Sequence, residues 1–155
     1  MRFAGYAAIF DRPDRGGDVV RAGAFARSLK MRARLPLLWQ HDPKRPVGRV
    51  EYAREDRRGL RVIARLSVGP AGRAAAAALR EAQVAGLSFG YKIRRPRGER
   101  PRELEELELV EVSPVRAPMQ PRARVHAVAQ AGDRPAAVPL AAAPKLSSPP
   151  ARRLD

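Results

Sequence analysis

Only one stretch of this chain has the pattern of a long helix. Residues 70–84 begin with Pro70 near the first turn, continue through an alanine-rich middle and lead to Gly86 just past the end. Almost every other apolar run is short and bounded by charged or Gly/Pro-rich turns, which is the pattern of strands. Residues 2–10 read as a strand with Gly5 at a bulge, and 11–18 as a polar, Gly-rich turn. Residues 22–31 suit a short helix, with Phe25 and Leu29 one turn apart on one face. Residues 35–40 form a buried apolar segment. Residues 47–52 and 60–68 are strands separated by a charged turn at 54–59. A further strand covers 87–94, and 95–102 is a Pro/Gly/Arg loop. Residues 104–115 alternate only in part: Leu107 and Leu109 fall on one side, Val110 and Val112 on the other. A break is therefore expected near Val110. Residues 123–128 close the sheet. Many strands with few long helices predict an α+β, β-rich, barrel-like domain.

The last residues cannot belong to it. Residues 129–155 contain five prolines and no aromatic, so they bury little and hold neither helix nor ladder. The expectation is one folded domain over 1–128 and a Pro/Ala-rich disordered tail over 129–155. Cysteine is absent, which excludes disulfides and thiolate metal sites. No apolar run is long enough to span a bilayer, and the N-terminus lacks the apolar run of a signal peptide. A soluble, non-exported protein is expected, with no membrane partner. The formal net charge is +15, and 27 of the 31 positive residues are arginine. Such a surface attracts polyanions, either nucleic acid or an acidic protein.

Three residues stand out chemically. Ser88 lies between Gly86 and Gly90, where the missing side chains let a substrate backbone approach. Local pattern alone favours the plainer reading, a small residue in a tight strand. His41 ends an apolar run just before Asp42-Pro43. It reads either as a general base reaching into a cleft or as a solvated turn histidine. The only other histidine, His126, lies next to the tail. Serine needs a positioned base to become a nucleophile, and the base works best with a third group fixing its tautomer. Glu111 is a carboxylate inside an otherwise apolar strand, where it needs a partner unless it points outward. The cluster Glu103, Glu105, Glu106 and Glu108 reads as solvated surface.

Other chemistries fit poorly. There is no HExxH, no Walker-type phosphate loop and no GxGxxG, so no metal or cofactor is expected. Ser88 is not in a GxSxG elbow. Arginine clusters at 54–58 and 94–102 lack interleaved aromatics, which weakens a single-strand-binding reading.

Several stretches together resemble the prohead (capsid maturation) serine proteases of tailed phages. They are Gly5-Tyr6-Ala7-Ala8-Ile9-Phe10, Gly17-Asp18-Val19-Val20-Arg21-Ala22-Gly23-Ala24-Phe25 and Leu37-Leu38-Trp39-Gln40-His41-Asp42 with Pro46-Val47-Gly48. The set continues with Gly86-Leu87-Ser88-Phe89-Gly90-Tyr91 and Glu111-Val112-Ser113-Pro114-Val115 leading to Pro118. The short form also resembles the proteases of gene transfer agent clusters. The resemblance covers about residues 3–126 and implies a herpesvirus-protease-like β-barrel flanked by helices. It implies Ser88 as nucleophile and His41 as base. The herpesvirus relatives use a second histidine as third member; here Glu111 takes that place, with His126 as the fallback. Backbone N–H groups of residues 116–119 are the expected oxyanion donors. The implied substrates are the scaffold or N-terminal region of the major capsid protein and the protease itself, cleaved inside an assembling procapsid in the bacterial cytoplasm. A homo-oligomer is compatible with the family. The competing reading is a non-catalytic basic module that binds nucleic acid or scaffold inside the particle.

Overall fold

The computed structural model describes residues 1–32 and 34–130. The elements run β1 (Arg2–Ile9), β2 (Asp18–Val20), α1 (Ala26–Met31), β3 (Leu35–Trp39), β4 (Asp42–Glu55), β5 (Gly59–Leu66), α2 (Pro70–Arg80), β6 (Gly86–Arg97), β7 (Arg102–Val115) and β8 (Val125–Ala129). The β-rich α+β expectation holds. Among the described residues the strands form one sheet in the order β2-β7-β3-β4-β5-β1-β8, with β6 branching from β7. No helix there is long and apolar enough to cross a membrane.

The core fills one side of this curved sheet. Phe3, Phe25, Leu37, Leu60, Leu87, Leu104, Leu107 and Leu109 are all essentially inaccessible to solvent. Burying side chains of this size contributes about 1.5–3 kcal/mol each. Aromatic rings join the layers: Phe25 stacks on Phe10 at 6.4 Å and meets Phe89 edge-on at 5.2 Å.

The strands do not close into a full barrel, which corrects the barrel-like expectation. β6 and β8 meet at a single bridge, Gly86–Arg124, flanked by hydrogen bonds from Leu87 N–H to Ala123 O and from Val125 N–H to Ala85 O, both 2.9 Å. The reason is length. β8 has five residues and its ladder pairs go to β1, so only the residues just before it, Ala123 and Arg124, reach β6. Gly5 lies at this seam, at a register shift against β8, where a Cβ would stand 2.3 Å from Arg124 O. Ala129, the first residue of the expected tail, pairs with Arg2. The tail beyond 130 lies outside the described residues.

Several boundaries differ from the sequence expectation, and two have identifiable reasons. Residues 95–97, expected in a loop, extend β6 because their arginines meet glutamates across the hairpin. Arg95 reaches Glu105 at 3.3 Å, and Arg97 pairs with Glu103. α2 stops at Arg80, short of Val84. Its C-terminal turn carries Gln83 N–H to Ala78 O (2.9 Å) and Ala82 N–H to Leu79 O (3.3 Å), the paired bonds of a Schellman end. The left-handed position is Ala82 (φ 54°), not Gly86, which already belongs to β6.

An L-residue in that conformation carries a backbone penalty that glycine lacks. Ala82→Gly is therefore expected to stabilise the fold by about 1 kcal/mol, net of glycine's greater freedom when unfolded. The readout is a higher urea midpoint at unchanged slope. A lower midpoint would contradict this account of the helix end.

Candidate active site

His41 sits on a two-residue turn. Trp39 pairs with Asp42, and Gln40 and His41 between them take left-handed backbone angles (φ 53° and 63°), the pattern of a type I′ hairpin. Asn and Gly usually fill such turns; other residues there are penalised by about 1–2 kcal/mol each. Bonds to β7 and the segment after it offset the strain. Gln40 N–H donates to Pro114 O (3.2 Å) and His41 N–H to Ser113 Oγ (3.1 Å). Gln40 Oε1 accepts the Arg116 N–H (3.3 Å).

Glu111 reaches the same place through an irregularity. In a regular strand Leu109 and Glu111 would share a face. Here Leu109 pairs with Tyr91 and Glu111 with the adjacent Gly90, so Val110 is bulged out of the ladder. The break expected near Val110 is this bulge. It reverses the strand's phase. Leu107 and Leu109 remain in the core with Tyr91 and Ile93 packed against it. Glu111 and Ser113 turn to the other face, opposite Gly90 and Ser88.

There the Glu111 carboxylate is buried and both of its oxygens are bonded. Oε1 lies 2.5 Å from His41 Nδ1, and Oε2 accepts the Ser113 hydroxyl at 2.6 Å. Ser113, fully buried, gives its proton to Glu111 and accepts the His41 N–H with a lone pair. A buried carboxylate without such partners would be costly. With Nδ1–H committed to Glu111, Nε2 is the free acceptor of the imidazole, whose side chain is 41% exposed. Gly90 leaves the room: a Cβ on it would stand 2.6 Å from Glu111 Oε1.

Ser88 stands directly across the ladder from Ser113, on the face that carries Glu111. Side chains opposed in this way have Cβ atoms about 5 Å apart. Among the described residues the Ser88 hydroxyl makes no hydrogen bond, with His41 or with any other group. His126 lies elsewhere, exposed on β8 with its ring edge-on to Tyr6 at 5.6 Å. Partial burial, and then the positive charge of Arg58, hold its imidazole below the usual histidine range. The structure thus brings Glu111, not His126, to His41. The 116–119 segment adjoins the start of β6, where Pro118 packs against Gly86. Its Arg116 N–H faces Gln40.

Ser113 is the site residue that the sequence reading missed. The available signal was a serine two positions from Glu111 in a strand otherwise apolar there. The 94–102 arginine cluster is largely neutralised: Arg94 pairs with Glu108, Arg97 with Glu103 and Arg102 with Asp18. That leaves the hairpin little free charge for phosphate.

Known proteins resemble this chain in sequence and in fold. A family profile described as caudovirus prohead serine protease matches residues 1–136. The prohead protease of Enterobacteria phage HK97 is 34% identical over 94 residues, 59% of this chain. That match spans 42% of the length of the phage protein. Among solved structures, the bacteriophage T4 capsid assembly protease superposes with a TM-score of 0.55 at 15% identity, covering 72% of this chain and 80% of that one. A KSHV protease in complex with a hexapeptide phosphonate inhibitor gives 0.57 at 14% identity, over 80% and 63%. These two establish likeness of fold.

The space at Gly90 is testable by stability alone. Gly90→Ala is expected to destabilise the protein by about 1–3 kcal/mol through its clash with the carboxylate. In a Glu111→Ala background the same change should cost less, a coupling of about 0.5–3 kcal/mol by urea denaturation. Strict additivity would mean that the two groups do not compete for space.

Proposed function

The chain belongs to the caudovirus prohead serine protease family, and from that membership we propose a serine endopeptidase with Ser88 as nucleophile, His41 as general base and Glu111 as its orienting carboxylate. The observation that carries the reading is the 2.5 Å contact from His41 Nδ1 to a buried carboxylate on the face where Ser88 stands. With Nδ1–H held there, Nε2 takes the Ser88 proton as the serine oxygen attacks a peptide carbonyl. The imidazolium, stabilised by Glu111, returns the proton to the leaving amine. Water then enters by the same route and releases the acyl group from Ser88. Catalytic hydrogen bonds are often unformed without substrate, so the free Ser88 hydroxyl is compatible with this role. Backbone N–H groups of the 116–119 segment are the proposed oxyanion donors. Losing one such donor typically costs about 3 kcal/mol of transition-state stabilisation.

The proposed substrate is the scaffold or N-terminal region of a major capsid protein, cut inside an assembling procapsid in the bacterial cytoplasm of a phage or gene transfer agent host. The +15 net charge suits an acidic scaffold. The chain's own segment after 129 is a second proposed target.

Co-expression with the capsid precursor tests the reading. Ser88→Ala and His41→Ala should each abolish shortening of the capsid N-terminus. On peptide substrate both should lower kcat/KM by about 10³-fold or more with folding intact. Glu111→Gln should approach that loss by favouring the wrong imidazole tautomer. Normal processing by both Ser88→Ala and His41→Ala would overturn the protease reading. Mass spectrometry of the purified protein should show its C-terminal segment trimmed in wild type and intact in Ser88→Ala.

A further inference from the structure

We propose that α1 is a positioning element for the site: Ser28 and Arg32 hold the Val110 bulge that turns Glu111 toward His41. This rests on the reading of Glu111 as the partner of a catalytic His41.

The outer edge of β7, away from β6, has a gap. Parallel pairing with β2 ends at Val20–Leu104 and resumes with β3 at Leu37–Val112. The segment containing α1 serves the edge in between. Ala24 O accepts the Leu107 N–H, Ser28 Oγ accepts the Leu109 N–H, and Arg32 Nη1 donates to Val110 O, each at 2.9 Å. Ser28 and Arg32 are four residues apart, so one side of the helix end carries both contacts. The Ser28 bond is buried. The amide entering the bulge and the carbonyl leaving it are therefore both held from α1.

That matters because a bulge is a choice of register. Moving the unpaired position along β7 by one residue exchanges the faces of the residues between the old and new positions. Bulging at residue 111 or beyond would leave Glu111 in phase with Leu109, on the core side. On β6 Val110 has no partner, so the contacts to the bulged residue come from the other edge of β7. The two contacts from α1 mark Leu109 and Val110 specifically. A serine and an arginine with no direct contact to His41 or Ser88 would then govern the carboxylate's direction.

The test uses the full chain. The His41 Nδ1 proton, shared with a carboxylate at 2.5 Å, should give a downfield proton resonance that Glu111→Ala abolishes. Ser28→Ala and Arg32→Ala should fold, by circular dichroism and a cooperative melt, yet lose or broaden that resonance. Their kcat on a capsid-derived peptide should fall by about 10- to 100-fold with KM little changed, as for a misplaced catalytic group. Ser28→Thr, which keeps the acceptor, should restore both readouts. Arg27→Ala, on the same helix but directed to Glu106 at 3.4 Å, should leave both unchanged. If Ser28→Ala does not fold, Arg32→Ala decides alone, its side chain being one-third exposed. Retention of both resonance and kcat in Arg32→Ala and in any folded Ser28→Ala overturns the proposal. Cleavage indifferent to Ser88→Ala would sink the catalytic reading instead, and the resonance would still decide whether α1 directs Glu111.

Discussion

A single buried carboxylate organises this end of the molecule. Glu111 is buried, and among the described residues its carboxylate makes two polar contacts, so each is structurally obligatory. One fixes the imidazole of a strained turn and the other a hydroxyl that in turn holds the backbone of that turn. The three groups form a closed set: Glu111 binds His41 and Ser113, and Ser113 binds the His41 amide. Removing any member leaves a buried polar group of another without its partner, an asymmetry that makes such sets costly to break. The left-handed backbone at Gln40 and His41 is tolerable because this set over-determines it.

β7 is two strands in one. Before Val110 Leu104, Leu107 and Leu109 feed the core while Glu103, Glu105, Glu106 and Glu108 meet Arg21 and arginines from β6 and α1. After Val110 the phase reverses and the strand carries Glu111 and Ser113 on the site face. The same residue type does opposite things on the two sides of the bulge. Glutamates at the outer half are partly solvated and ion-paired, where each pair is worth little. Glu111 faces a histidine in a buried setting, where an electrostatic contact acts at low dielectric. Arginine abundance at the outer half is thus mostly a partner for glutamate rather than a binding surface.

What the sequence made legible follows from local chemistry. His41, Ser88 and Glu111 stand out as candidates because each breaks its local pattern (a histidine ending an apolar run, a serine between glycines, a carboxylate in an apolar strand), while the roles of Ser88 and His41 are implied by the family resemblance. Most strands and α2 were visible from periodicity and from Pro70. Ser113 was not, because a serine in a strand is unremarkable until its neighbour is known to be a buried acid. The type I′ turn at Gln40–His41 was hidden because neither residue belongs to the usual Asn-Gly vocabulary. Tertiary bonds, not propensity, hold it. The helix end at Ala82 and the open seam between β6 and β8 were missed for a related reason. Alanine does not advertise a left-handed position, and strand length decides closure.

The two halves of the proposed catalytic set come from different hairpins. Ser88, Ser113 and Glu111 lie on one antiparallel hairpin with a ladder running its whole length. His41 comes from a separate hairpin turn, tied to β7 by its own amide and imidazole and by Gln40. The Gln40 side chain couples that turn to the Arg116 amide, at the mouth of the segment proposed to hold the oxyanion.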